Sequence, residues 1–136
     1  MIIMKKAVVY WSGTGNTEAM AKAVAEGAGA PLISAADFGA AQAAELDGIA
    51  FGCPAMGAEA LEESEFEPMF ESVKGSLAGK RVALFGSYGW GDGDWMQLWE
   101  DDCRAAGISL VCPSVICQGE PDAQTLAKCK ALGAAL

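Results

Sequence analysis

The sequence predicts an α/β domain, a five-stranded parallel sheet with helices on both faces. Three observations predict it. Five apolar segments alternate with helix-like ones, and they are near-continuously apolar, as strands buried on both faces are. Gly-rich loops follow the first, third and fourth of these segments. The length of 136 residues suits one domain, residues 1–136, able to bury a core on each side of a sheet.

Strand one is expected over Lys6–Trp11, where apolar and aromatic residues run together. A helix over Thr17–Ala28 follows, with no Gly or Pro before Gly27. Pro31–Ser34 reads as a short second strand and Asp37–Leu46 as an Ala-rich, weakly amphipathic helix. Strand three is Gly48–Cys53. A loop from Pro54 to about Ser64 leads into a helix near Phe66–Val73. Arg81–Gly86 is strand four, followed by a loop and a helix from Asp94 to Ala106. Trp95 and Trp99 lie four apart on that helix, so both are expected to face the sheet. Ile108–Cys117 is strand five, interrupted by Pro113, and a last helix starts at Pro121 or Asp122.

The stretch Val8–Val24 joins a strand to a helix through Ser12-Gly13-Thr14-Gly15-Asn16-Thr17. A helix start offers unpaired N–H groups and a dipole that favours anions. Glycines let the backbone close around a phosphate, and the hydroxyls and the Asn amide add donors. The loop holds no Lys or Arg, so the triphosphate pattern GxxxxGK[ST] fails. The dinucleotide pattern GxGxxG fails too, because Glu18 stands at its third Gly. A single terminal phosphate held by neutral donors fits best, and a plain strand–helix turn that binds nothing is the alternative.

Composition excludes other classes. The net charge of −9 at pH 7 argues against nucleic acid and anionic membranes. No apolar run reaches the roughly 18–20 residues of a membrane span. The N-terminal charges Lys5 and Lys6 follow a very short apolar piece, the reverse of a secretory signal, so a cytoplasmic protein is expected. Cys53, Cys103, Cys112, Cys117 and Cys129 form no CxxC pair; they read as small buried hydrophobes. The chain has no His, which removes Ser-His-Asp and Cys-His catalysis, and no metal site is expected.

Residues 8–24 resemble the FMN phosphate loop of the flavodoxins. Gly52-Cys53-Pro54-Ala55-Met56-Gly57 and Gly86-Ser87-Tyr88-Gly89-Trp90-Gly91 resemble the flavin-ring loops of that family's short-chain, clostridial-type branch. The resemblance spans nearly the whole chain. It implies a flavodoxin-like three-layer sandwich of strand order 2-1-3-4-5, with the ligand beyond the strand ends at the switch between strands one and three. It also implies a low-potential one-electron carrier with non-covalent FMN, cycling between semiquinone and hydroquinone, rather than an enzyme. Redox partner proteins with basic surfaces and a monomeric state are expected.

By the same resemblance, Ser12, Thr14, Asn16 and Thr17 donate to the phosphate while Gly13 and Gly15 expose backbone N–H groups. Trp90 stacks on one ring face and Met56 packs near the other, within loops Cys53-Pro54-Ala55-Met56 and Gly86-Ser87-Tyr88-Gly89-Trp90-Gly91-Asp92. The Gly57–Ala58 peptide turns over to meet the ring's N5–H, and Glu59 accepts from N3–H. Trp11, ending strand one, reads as packing. Glu59, Glu62, Glu63, Glu65, Glu67 and Glu71 form an acidic run with no cation between Pro54 and Val73. It is either a solvated face or a surface that steers basic partners. One carboxylate ~10 Å from an anionic flavin, at an effective dielectric of ~20, repels it by roughly 1.7 kcal/mol. The rival function is an FMN-dependent NAD(P)H quinone or nitro reductase, which would need a second substrate pocket. A phosphoacceptor receiver domain would need acidic residues where Ser12 and Cys53-Pro54 stand.

Overall fold

The computed structural model describes residues 5–13, 15–56, 61–89 and 93–136. Strands and helices alternate as β1 (Lys6–Tyr10), α1 (Asn16–Ala28), β2 (Leu32–Ser34), α2 (Ala40–Ala44), β3 (Gly48–Gly52), α3 (Phe66–Val73), β4 (Arg81–Tyr88), α4 (Asp94–Ala105), β5 (Val115–Gln118) and α5 (Ala123–Ala135). The sheet is parallel throughout, in the expected order β2-β1-β3-β4-β5.

Register brings the carboxyl ends of the central strands level. Tyr10 pairs with Gly52, and Gly52 pairs with Phe85. The ladder runs on past the strand ends: Trp11 N–H donates to Gly52 O at 3.0 Å, Cys53 N–H to Phe85 O at 3.2 Å, and Ala55 N–H to Ser87 O at 2.9 Å. The loops after β1, β3 and β4 are therefore held side by side before any ligand is considered.

Alternation along the strands builds two unlike cores. Val9, Ile49, Phe51, Val82 and Leu84 join Phe66, Phe70, Trp95 and Trp99 from α3 and α4. Phe70 meets Phe51 edge-on at 5.2 Å and Trp99 at 5.7 Å, the arrangement that ring quadrupoles favour. Trp95 and Trp99 are buried in this cluster, as their spacing predicts. On the other side Val8, Ala50, Ala83 and Phe85 meet Met20, Ala21, Val24 and Leu132 from α1 and α5. Small residues there let the two helices approach until their backbones touch. A Cβ at Gly27 would lie 2.0 Å from Lys130 O, and one at Gly133 would lie 2.1 Å from Val24 O. Each Gly costs its helix roughly 1 kcal/mol relative to Ala, which the close packing offsets.

Three expectations are corrected. The second helix does not run from Asp37 to Leu46. A 3-10 turn at Ala35–Asp37 ends at Phe38, which is extended (φ −114°), and α2 begins only after Gly39. Burial drives the break, because Phe38 turns inward to meet Phe51 edge-on at 6.3 Å. Strand four runs two residues further, through Tyr88. Strand five is confined to Val115–Gln118, with Leu110 making an isolated bridge to Val82. Pro113 lies between the two pieces and has no N–H to give the ladder.

Gly133→Ala tests the helix crossing. Forcing a methyl against the Val24 carbonyl should cost about 1–3 kcal/mol, read as a lower urea midpoint at unchanged slope.

Candidate functional site

Beyond the ends of β1, β3 and β4 lies a cavity of about 240 Å³, lined by Trp11, Gly13, Asn16, Pro54, Ala55, Met56, Ser87, Tyr88, Gly89 and Gly119. Most of its wall is apolar, and α1 points its start at one end. Thr14, Gly57, Ala58, Glu59, Trp90, Gly91 and Asp92, all expected in the site, lie outside the described residues.

At the start of α1, Gly15 takes the left-handed region with φ +97°, where a residue with a Cβ would be strained. Ser12 Oγ accepts from Gly15 N–H at 3.1 Å and from Glu18 N–H at 3.2 Å. Among the described residues nothing accepts its own hydrogen, which is left to donate. Among the described residues nothing accepts from the N–H of Asn16 or Thr17, the first two of the helix. Free N–H groups, a hydroxyl proton and the helix dipole converge on one spot with no cation in the loop, a donor set suited to a phosphate. Glu18, the acid in this first turn, is occupied by Tyr10 Oη at 3.4 Å and by Lys22 at 4.0 Å. Burial first, then the Glu18 charge, raises the Tyr10 pKa and keeps its phenol neutral.

Thr17 departs from the simple picture of an open donor. It is 1 % exposed, and its hydroxyl lies 2.7 Å from that of Ser87, itself buried at the cavity wall. The structure thus ties the start of α1 directly to the end of β4.

The loop after β3 is pinned at both ends of its described part. Cys53 is fully buried, and that burial pushes its thiol up to about 12, so it stays protonated. Its Sγ accepts from Glu62 N–H at 3.4 Å, tying the end of β3 to the approach to α3. Met56 is 38 % exposed at the mouth. From the far side, Gly119 N–H donates to Tyr88 O at 2.8 Å, and Gln118 Nε2 donates to Gly89 O at 3.4 Å. Strand five therefore braces the loop after β4.

Sequence reasoning missed the parts played by Trp11 and Gly119. Trp11 is half-buried, lines the cavity and donates its indole N–H to Glu65 Oε1 at 3.0 Å. Its ring also crowds Gly13, where a Cβ would lie 3.1 Å away. The signal was its place at the carboxyl end of strand one, where ligands of such sheets sit.

The acidic run is not one surface. Glu62 is only 5 % exposed, and its carboxylate accepts from the N–H groups of Ser64 and Glu65, both at 2.7 Å, and of Phe66 at 2.9 Å. The Ser64 hydroxyl donates to it as well. These are the otherwise orphan N–H groups at the start of α3. Burial works to raise the Glu62 pKa, but the four donors outweigh it and hold it down at about 2. Glu63 and Glu67 are exposed, Glu65 holds Trp11, and Glu71 pairs with Lys74 at 2.8 Å.

A depressed carboxylate stabilises the fold above its unfolded pKa and loses that contribution as pH falls through the folded one. Glu62 should therefore supply at most about 3 kcal/mol at neutral pH, lost between roughly pH 5 and 2. Glu62→Gln should lower stability at pH 7 and flatten the acid limb of a urea-unfolding series. An unchanged acid limb would show that other carboxylates set it.

Comparison with known proteins agrees with this architecture. The flavodoxin family model matches residues 8–133. The chain is 48 % identical to the flavodoxin of Clostridium beijerinckii over 120 residues, 85 % of this chain and 87 % of that one. With the flavodoxin of Megasphaera elsdenii it shares 42 % identity over 133 residues, 94 % and 95 % of the two chains. The solution structure of two-electron reduced Megasphaera elsdenii flavodoxin superposes with a TM-score of 0.86 at 43 % identity, covering 96 % of each chain. The chain belongs to the flavodoxins, the FMN-binding low-potential electron carriers.

Proposed function

We propose that the cavity beyond β1, β3 and β4 is where this carrier holds FMN, with the phosphate at the start of α1 and the ring toward Met56, Tyr88 and Gly89. The observation that carries this is the cation-free donor cluster of Ser12, Asn16 and Thr17 opening beside a largely apolar slot. Bound FMN supplies the capacity to take up and release electrons singly. Gly13, Thr14 and Gly15 complete the phosphate loop in this reading. Cys53, Pro54, Ala55, Met56, Gly57, Ala58 and Glu59 form one ring loop, and Gly86, Ser87, Tyr88, Gly89, Trp90, Gly91 and Asp92 the other. Neutral donors leave the phosphate's charge in place, which with the acidic surface makes added electrons costly and so favours a low potential.

Electrons pass from the chain to redox partner proteins. The partners are read as basic at their contact surface, because Glu63 and Glu67 stand exposed at the start of α3, next to the loop that leaves the cavity. Among the described residues no helix is long and apolar enough to cross a membrane. Free thiols at all five cysteines fit a reducing, cytoplasmic setting. A single FMN-binding domain acting as a monomer is the simplest form of such a carrier.

FMN should bind far more tightly than riboflavin, and Asn16→Ala should cost roughly 1–3 kcal/mol of FMN affinity, the range for a hydrogen bond to a charged group. Fluorescence titration reads both, and equal affinities for the two flavins would overturn the phosphate site. Replacing Glu63 and Glu67 together with Gln, while sparing the cap Glu62, should slow electron transfer to a basic partner. It should also flatten the salt dependence of that rate; unchanged stopped-flow rates at low salt would reduce these residues to a solvated face.

A further inference from the structure

We propose that the Thr17 and Ser87 hydroxyls form a relay through which an anion at the start of α1 sets the hydrogen-bonding polarity of the cavity wall. The proposal deepens the FMN reading above and rests on it.

The two oxygens lie 2.7 Å apart, with Thr17 1 % and Ser87 4 % exposed. Each hydroxyl carries one proton and two lone pairs. Their contact uses one proton, and among the described residues no other group bonds to either hydroxyl. One donor is therefore left over in a site screened from solvent, where an unpaired donor is costly. Two arrangements are open. Thr17 can donate to Ser87, sending the Ser87 proton toward the cavity; or Ser87 can donate to Thr17, freeing the Thr17 proton.

Position decides between them. Thr17 is the second residue of α1, and Ser87 lines the cavity. A phosphate offers only acceptors on the side facing the helix, so it draws the Thr17 proton. Ser87 must then donate to Thr17, which leaves it only lone pairs to present to the cavity. A ligand N–H or O–H is accepted there and a bare acceptor is rejected. Without an anion both arrangements stand and the wall has no fixed polarity. No bond is made or broken; only two hydroxyl rotors are set. The backbone of Ser87 is already fixed, its carbonyl accepting from Ala55 N–H at 2.9 Å, so the side chain is the part free to respond.

The test is a double-mutant cycle read with two ligands. Dissociation constants for FMN and for riboflavin are measured by flavin fluorescence for the unaltered protein, Thr17→Val, Ser87→Ala and the double variant. Each single change should weaken FMN roughly tenfold, the size of one hydrogen bond, and riboflavin less than about twofold. The double variant should bind FMN little worse than Thr17→Val alone, since Ser87 presents only lone pairs to the cavity while its proton goes to Thr17. Thr17→Ser, which keeps both hydroxyls, should retain the preference for FMN. If Ser87→Ala weakens both flavins by one factor, or if the two losses on FMN simply add, the relay is overturned while Thr17 stands as a phosphate donor. Should Thr17→Val leave FMN binding unchanged, both the relay and that donor role fall.

Discussion

Unpaired backbone N–H groups at the helix starts govern how the carboxyl edge of this sheet is built. In a parallel sheet every crossover helix begins on the side where a strand has just ended. The orphan donors therefore gather on one edge, and each set must find an acceptor. At α3 the answer is internal: the Glu62 carboxylate takes the N–H groups of Ser64, Glu65 and Phe66. At α5, Asp122 accepts from Thr125 N–H at 2.8 Å. Among the described residues α1 has no such acid turned onto its first N–H groups. Ser12 takes only the N–H groups of Gly15 and Glu18, and its carboxylate neighbour Glu18 is drawn aside by Tyr10 and Lys22. Among the described residues one helix start is left open where two others are closed, and that difference supports reading it as the phosphate site.

The unlike cores serve this edge in different ways. Interlocking rings of Phe51, Phe66, Phe70 and Trp99 support the sheet from the α3 and α4 side. Close-packed interiors resist displacement, so the loops after β3 and β4 leave from a stiff base. On the other side the contact of α1 with α5 at Gly27 and Gly133 sets the depth of α1 against the sheet. That depth in turn brings Thr17 within reach of Ser87.

Several of the chain's cations are held in ion pairs with nearby carboxylates. Lys74 bridges Glu71 and Asp102, both at 2.8 Å, at the far end of α3. Its burial works to lower its pKa, but the hydrogen bonds to Asp102 and Glu71 prevail and raise it. Lys130 pairs with Glu26 and Arg104 with Asp101. These exposed pairs contribute little to stability. Each pair is neutral, so the −9 balance of the chain is carried by its other acidic residues.

The order of elements, the parallel sheet and the three converging loops were legible in the sequence, because each rests on local pattern: apolar runs, helix periodicity and Gly-rich turns. Trp95 and Trp99 were legible for the same reason, since four residues place both on one helix face. The break at Phe38 was not, because a ring's preference for Phe51 over another helical turn depends on a strand ten residues away. Nor was the division of the acidic run. Six glutamates look alike in sequence, yet Glu62 differs from Glu63 only because folding brings the start of α3 and the Cys53 thiol around it. Trp11 and Gly119 joined the site through strand register, and Thr17 met Ser87 across seventy positions of chain. Local sequence could specify the hydroxyls, amide and glycines offered at the start of α1. Which of them faces outward, and which is held by another strand, was decided only when the layers packed.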